Sequence, residues 1–328
     1  MDNKLLEVKN LSVGFKTRKD IQRAVDNVSF SMSDGEIVGV VGESGSGKSV
    51  MSQTILRLLE HDSNVVYSGE IRFRGKDILK LNNKELQNLR GNEISMIFQN
   101  PLTSLSPVHT VGLQVSEVLR KHKSLSKKEA SNKTVELLDL TGIPNPESAI
   151  KKYPFELSGG MQQRVMIAMA LSCEPKLLIA DEPTTALDVT IQKQILKLIV
   201  DLNKRIGMSV LFITHDMGVV FQLCSQVKVM YLGQIIEQAP TNVLFSNPKH
   251  PYTSALLGCV PTLTSNRDSA LPTIMGTVPP ITKIPKGCRF CTRCPYADER
   301  CKREEPPNFA VEENHMAKCW KAEELEVK

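Results

Sequence analysis

The chain has 328 residues and a net charge of +5, from 41 basic and 36 acidic side chains. Its 41% apolar and 23% charged residues exclude a disordered chain and suit a large α/β domain with an appendage. The mild charge lacks the dense basic stripe of a nucleic-acid binder, and no apolar run reaches the ~20 residues of a membrane span.

Residues 1–4 lead straight into a strand-like pattern without an apolar leader, so a cytoplasmic protein is expected, reaching a membrane only through a partner. Residues 5–13 mostly alternate apolar and polar, as a half-buried antiparallel strand does, and 25–32 do likewise. Residues 37–41 are a short apolar run suited to a buried parallel strand. A glycine-rich turn follows, then an expected helix over about 48–59.

Residues 84–93 and 111–141 have helical character, and Ser126-Lys127-Lys128-Glu129 is a capping box. With a further helix after Gly159, residues of about 100–172 form an expected helical insert. Strand character returns at 176–181 and 209–214. Between them Ile191, Ile195, Leu198 and Ile199 mark a helix over 188–206. The alternation predicts a parallel sheet covered by helices.

Composition changes near residue 245. Pro248, Pro251, Pro261, Pro272, Pro279, Pro280 and Pro285 mark a linker to 287, with a short helix at about 253–257. Cys173, Cys224 and Cys259 sit among apolar neighbours and read as core. The other five cysteines fall within 288–319, and in a reducing compartment such a cluster favours metal over disulfides.

Gly42-Glu43-Ser44-Gly45-Ser46-Gly47-Lys48-Ser49 matches G-x-x-x-x-G-K-[ST], after a buried strand and opening a helix. Its glycines let backbone N–H groups curl round phosphate oxygens at a helix N-terminus. Lys48 is placed to reach the β- and γ-phosphates, and Ser49 to ligate Mg²⁺. Lys176–Ala180 is an apolar strand ending in Asp181 and Glu182. Asp181 can hold Mg²⁺, and Glu182 can orient or deprotonate the attacking water. Leu157-Ser158-Gly159-Gly160-Met161-Gln162-Gln163-Arg164 opens another helix with two glycines, a second anion site suited to a partner subunit's nucleotide. There is no internal repeat, hence one nucleotide cassette.

With these motifs in this order, residues of about 5–258 resemble the ATP-binding subunits of ABC transporters. That family reads L-S-G-G-Q where this chain has Met161 in the glutamine place. The resemblance implies an α/β P-loop NTPase core with a parallel sheet, an antiparallel β subdomain, a helical insert and a small Cys-rich C-terminal extension. It divides the chain into an ATPase domain at 1–258 and an extension at 259–328. It implies that Phe15 stacks on adenine and that Gln99 senses Mg²⁺ and the γ-phosphate. Residues 96–107 would touch the membrane partner. Thr185-Ala186-Leu187-Asp188 would be the D-loop, and His215 the switch histidine on the γ-phosphate.

Asn247-Pro248-Lys249-His250-Pro251-Tyr252-Thr253 and residues 98–107 narrow the resemblance to ATPases of oligopeptide, dipeptide and nickel importers. The x5, x6 and x17 spacing of Cys288, Cys294, Cys301 and Cys319 fits the same subfamily, some members of which hold a [4Fe–4S] cluster there. Iron–sulfur is therefore expected ahead of zinc. Cys291 adds a fifth thiol, so which four ligate stays open. His315 is a further candidate, with a surface position the simpler reading. The implied partners are a second, distinct ATPase subunit, two membrane permeases and an extracellular or periplasmic solute-binding protein. The chain would then sit peripherally on the cytoplasmic side of the membrane. A soluble ATPase acting on nucleic acid or ribosomes is the alternative, disfavoured by the single cassette and the mild charge.

Overall fold

The computed structural model describes residues 4–18, 20–184, 188–260 and 273–324, with the side chains of Pro101 and Leu102 not described. Thr185, Ala186 and Leu187 of the D-loop-like run lie outside these residues, as do Pro261 and Pro272.

In chain order come β1 (Lys4–Lys16), β2 (Ile21–Ser33), β3 (Ile37–Val41), α1 (Lys48–Ile55), β4 (Val65–Phe73) and β5 (Lys76–Asp77). Next are α2 (Asn83–Leu89), β6 (Ile94–Ile97), α3 (Pro101–Ser104), α4 (Val111–Lys123), α5 (Lys127–Leu140), α6 (Pro146–Ala149), α7 (Gly159–Leu171), β7 (Leu177–Asp181), α8 (Val189–Ile206) and β8 (Ser209–Thr214). Last come α9 (Met217–Leu223), β9 (Gln226–Tyr231), β10 (Gln234–Pro240), α10 (Thr241–Ser246), α11 (Pro251–Gly258), α12 (Glu299–Arg303), β11 (Phe309–Glu312) and β12 (His315–Ala317). The chain packs as two compact units. A helix-rich unit holds Ser33–Glu36 and Lys80–Leu211, and a strand-rich unit holds the other described residues.

The strand-rich unit carries an antiparallel sheet ordered β2-β1-β4-β5. Its centre is the β1–β4 ladder, with Leu6 opposite Phe73, Val8 opposite Ile71 and Phe15 opposite Val65. The alternation expected of β1 breaks between Lys9 and Ser12, where a bulge shifts the register and Asn10 takes φ 49°. Strands β11-β12-β10-β9-β3 follow one another in a second sheet. β3 and β9 run parallel, with Val41 opposite Val229, whereas β10, β11 and β12 are joined antiparallel. The sheet is thus mixed, and one of its edges, β11 with β12, comes from the tail. Helix α1 stops at Ile55, short of the expected 59: Arg57 takes φ 52°, and its guanidinium reaches Ile78 O and Glu60.

In the helix-rich unit β6 and β7 pair in parallel, with Ile94 opposite Leu177. The insert has its own core. Val111, Val115 and Leu119 form one stripe of α4 at four-residue spacing, packed with Ala130, Leu137 and Leu138 of α5 and Val165 and Ala168 of α7. Each large side chain so buried stabilises by about 1.5–3 kcal/mol. The capping box closes at both ends: Ser126 Oγ accepts from Glu129 N–H, and Glu129 Oε2 from Ser126 N–H. Among the described residues no helix is long and apolar enough to cross a membrane.

Candidate functional site

The phosphate loop belongs to the strand-rich unit. All five residues of β3 are buried, so the strand delivers a rigid end at Gly42. Gly42 takes φ 153°, and a Cβ there would meet Met230 O at 2.2 Å. Gly47, at φ 98°, N-caps α1 in the left-handed region, with no side-chain cap on the helix start. Only glycine fits either place without strain. Lys48 is buried, and its Nζ donates to Gly42 O at 2.7 Å, Glu43 O at 3.0 Å and Ser46 Oγ at 3.3 Å. The lysine therefore holds the loop curled around its own ammonium. Glu43 N–H donates to Tyr252 Oη at 2.9 Å, which ties the loop to α11. Ser44 and Gly45 lie at the loop's exposed crest, and Ser49 stands in the first turn of α1.

In the same unit Phe15 is half-buried in β1, and His215 is exposed just past β8. The next residue, Asp216, caps α9 through bonds from Gly218 and Val219 N–H, which fixes the turn that carries the histidine.

The candidate carboxylates belong to the helix-rich unit. Buried strand β7 ends at Asp181, itself 2% exposed, and the chain turns at once with Glu182 at φ 48°. A non-glycine residue in that region is held against its preference, which is common where a side chain must be aimed. Gln99, two residues past β6, donates Nε2–H to Glu182 Oε2 at 2.9 Å. Two side chains 83 residues apart in sequence are thereby brought together.

Two family models match the chain. "ABC transporter" covers residues 25–185, and "Oligopeptide/dipeptide transporter, C-terminal region" covers 236–301. The oligopeptide transport ATP-binding protein OppD of Bacillus subtilis is 52% identical over 317 residues, spanning 97% of this chain and 88% of OppD. The dipeptide transport ATP-binding protein DppD of Escherichia coli is 45% identical, spanning 96% of each chain. The chain belongs to the ABC transporter ATP-binding proteins. A dimeric ATP-binding cassette in a post-hydrolysis state with ADP and Pi shares the fold at a TM-score of 0.65 and 30% identity, over 72% of this chain and 98% of that one.

In this ABC ATP-binding protein the run that resembles the family's signature, Leu157 to Arg164, leads into α7. Ser158 N-caps that helix, accepting from Met161 N–H, and Gly159 has open space where a Cβ would sit. Met161, in the family's glutamine place, packs against the insert core. Gln163 Nε2 donates to Pro183 O at 2.6 Å, so the signature helix braces the turn after Glu182. Sequence reasoning missed this bond, whose partner lies 20 residues away in the chain. Asp188 N-caps α8 through bonds from Thr190 and Ile191 N–H.

The tail cysteines of this ABC protein converge. Cys288, Cys291, Cys294, Cys301 and Cys319 line one small cavity with Phe290 and Trp320. Burial pushes the Cys288 thiol up to about 12 and Cys319 to about 11, and raises the other three as well. Among the described residues no group of three or more His, Cys, Asp or Glu is arranged to hold a metal ion as it stands. His315 is not at the surface. It is fully buried, with Nε2 against Glu237 Oε1 at 2.8 Å. Glu237 also accepts from Lys249 and His250 N–H, so this histidine locks the tail to β10.

Proposed function

We propose that this chain is the ATP-hydrolysing subunit of an ABC importer that takes up peptides, working peripherally at the cytoplasmic face of its membrane. The observation that carries the reading is near-half identity to peptide-transport ATP-binding proteins along almost the whole chain, tail included.

In this reading Ser44–Gly47 backbone N–H groups and Lys48 take the triphosphate, and Phe15 stacks on the adenine. Lys48 exchanges its present loop partners for the β- and γ-phosphate oxygens. Ser49, Asp181 and Gln99 offer hard oxygen donors, the chemistry that Mg²⁺ requires. Held by these residues, Mg²⁺ would supply charge neutralisation for the triphosphate. Glu182 takes the proton of the attacking water, and His215 donates to the γ-phosphate. Ser158, Gly159 and Gly160 serve the nucleotide of a second, related ATPase subunit, with Asp188 ending the D-loop that meets it. Two permeases and a solute-binding protein complete the importer.

The five thiols suit an iron–sulfur cluster, because they face one cavity walled by aromatic side chains. Four of Cys288, Cys291, Cys294, Cys301 and Cys319 would hold it, as a cross-link of the tail; zinc is the other occupant that four thiolates suit. Their protons must leave on loading, so assembly favours higher pH.

The test is uptake. Reconstituted with its permeases, ATPase partner and binding protein, the wild-type chain should drive ATP-dependent accumulation of labelled peptide. Lys48→Ala should abolish both accumulation and ATP turnover. Accumulation of nickel but no peptide would overturn the substrate class, and full turnover in Lys48→Ala would overturn the site.

A further inference from the structure

Arg293 has no part in the reading above. It stands between Cys291 and Cys294, 250 residues after Glu43 of the P-loop. Its side chain is only 3% exposed. Nη1 donates to Glu43 Oε2 at 2.6 Å and Nη2 to Glu43 Oε1 at 3.1 Å, a two-pronged fork on one carboxylate. Nε donates to Met275 O at 3.0 Å. The rings of Tyr231 and Phe290 flank the guanidinium, each centred 5.9 Å from Cζ.

Glu43 is the second residue of the P-loop. Its carbonyl accepts from Lys48 Nζ, and its N–H is held by Tyr252. A carboxylate there puts negative charge on the loop that must receive a polyphosphate. Its side chain is 29% exposed, so water screens it only in part. A planar guanidinium cancels that charge and also fixes the carboxylate's direction, which a lysine ammonium cannot do as well.

We infer that Arg293 is a positioning residue for the triphosphate: by neutralising and aiming Glu43, it makes the cysteine-rich tail set the affinity of the P-loop for ATP. The inference rests on the nucleotide reading of that loop. Its effect is electrostatic, so it grows with ligand charge and shrinks with salt. A brace that merely supports the fold does neither.

The experiment uses the full-length chain and fluorescent ATP and ADP, with melting in the absence of nucleotide as the folding control. Arg293→Met should weaken ATP about tenfold and ADP about threefold at low salt, with the deficit shrinking in ~0.5 M salt. Glu43→Gln/Arg293→Met should return ATP affinity to within about twofold of wild type, and Arg293→Lys should fall between. Equal losses for ATP and ADP, or no recovery in the double variant, would overturn the inference. If Arg293→Met does not fold, Glu43→Gln alone decides. It should bind ATP at least as tightly as wild type, and weaker binding sinks the idea. Failure of wild-type protein to bind ATP would instead strike the nucleotide reading.

Discussion

Gln99 Nε2 lies 2.9 Å from Glu182 Oε2, so the loop after β6 holds the carboxylate that follows β7. Glu182 sits at φ 48°, and the bond from Gln99 helps keep it there. Glu182→Gln should bind ATP within about threefold of wild type yet hydrolyse it at least about a hundredfold more slowly. The trapped nucleotide should accumulate a closed dimer, visible as a faster-eluting species on size exclusion. Gln99→Ala removes this bond to the carboxylate and should lower kcat about tenfold with a smaller change in KM. Near-normal turnover in Glu182→Gln would remove that residue from water activation.

Met161 replaces the family's glutamine and packs on the core of the insert. Met161→Gln restores the family residue but places an amide against apolar side chains. ATP turnover should stay within about twofold, while thermal stability drops by about 1 kcal/mol. A severalfold rise in turnover would mean that the methionine attenuates the signature helix rather than supporting the insert.

Cys224 packs against Gly39 of β3, and burial pushes its thiol up to about 12. The thiol of an unfolded chain ionises near its ordinary value of about 9, so above that pH the unfolded state sheds a proton the folded state keeps. Stability should therefore fall as pH rises from about 9 to about 12, by at most about 1.4 kcal/mol per pH unit. Melting curves of wild type and Cys224→Ala across that window check this. Parallel curves for the two proteins would show that the thiol contributes nothing to the slope.

The cavity shared by the five tail cysteines makes a separate prediction. Protein purified without oxygen should be brown, with about four irons per chain, the count of a cubane. Cys301→Ser should bleach it, whereas Cys259→Ser, outside the cavity, should not. Stripping the metal should lower the melting temperature by several degrees, as loss of a cross-link does. Colourless protein with about one zinc per chain would replace the cluster by a tetrahedral site.

The elements that carry the candidate nucleotide residues were legible because they are written locally. The P-loop, the strand ending in Asp181-Glu182 and the Ser158 helix start each carry their reason within a few residues. Strands β3, β7 and β8 and helices α5, α7 and α8 were marked by apolar period and by caps such as Ser126. What escaped depends on partners far away in sequence. The pairing of β10 with β12, the bond from Gln163 to Pro183 and the Arg293–Glu43 fork have no local signal. His315 was misplaced for the same reason: in sequence it is a lone histidine among charged residues, and only the buried Glu237 opposite it explains its position. The end of α1 at Ile55 was missed because nothing in the run before Arg57 announces a left-handed residue.

The ladder between Glu237 and Ala317 bears on how the protein can be shortened. A chain cut after Gly258 would leave one side of β10 with unpaired amides and carbonyls. It would also strip His315 from a carboxylate that is 1% exposed in the intact protein. A raw strand margin of that kind recruits other copies edge to edge. Truncated versions should therefore precipitate for reasons unrelated to their ability to hold nucleotide.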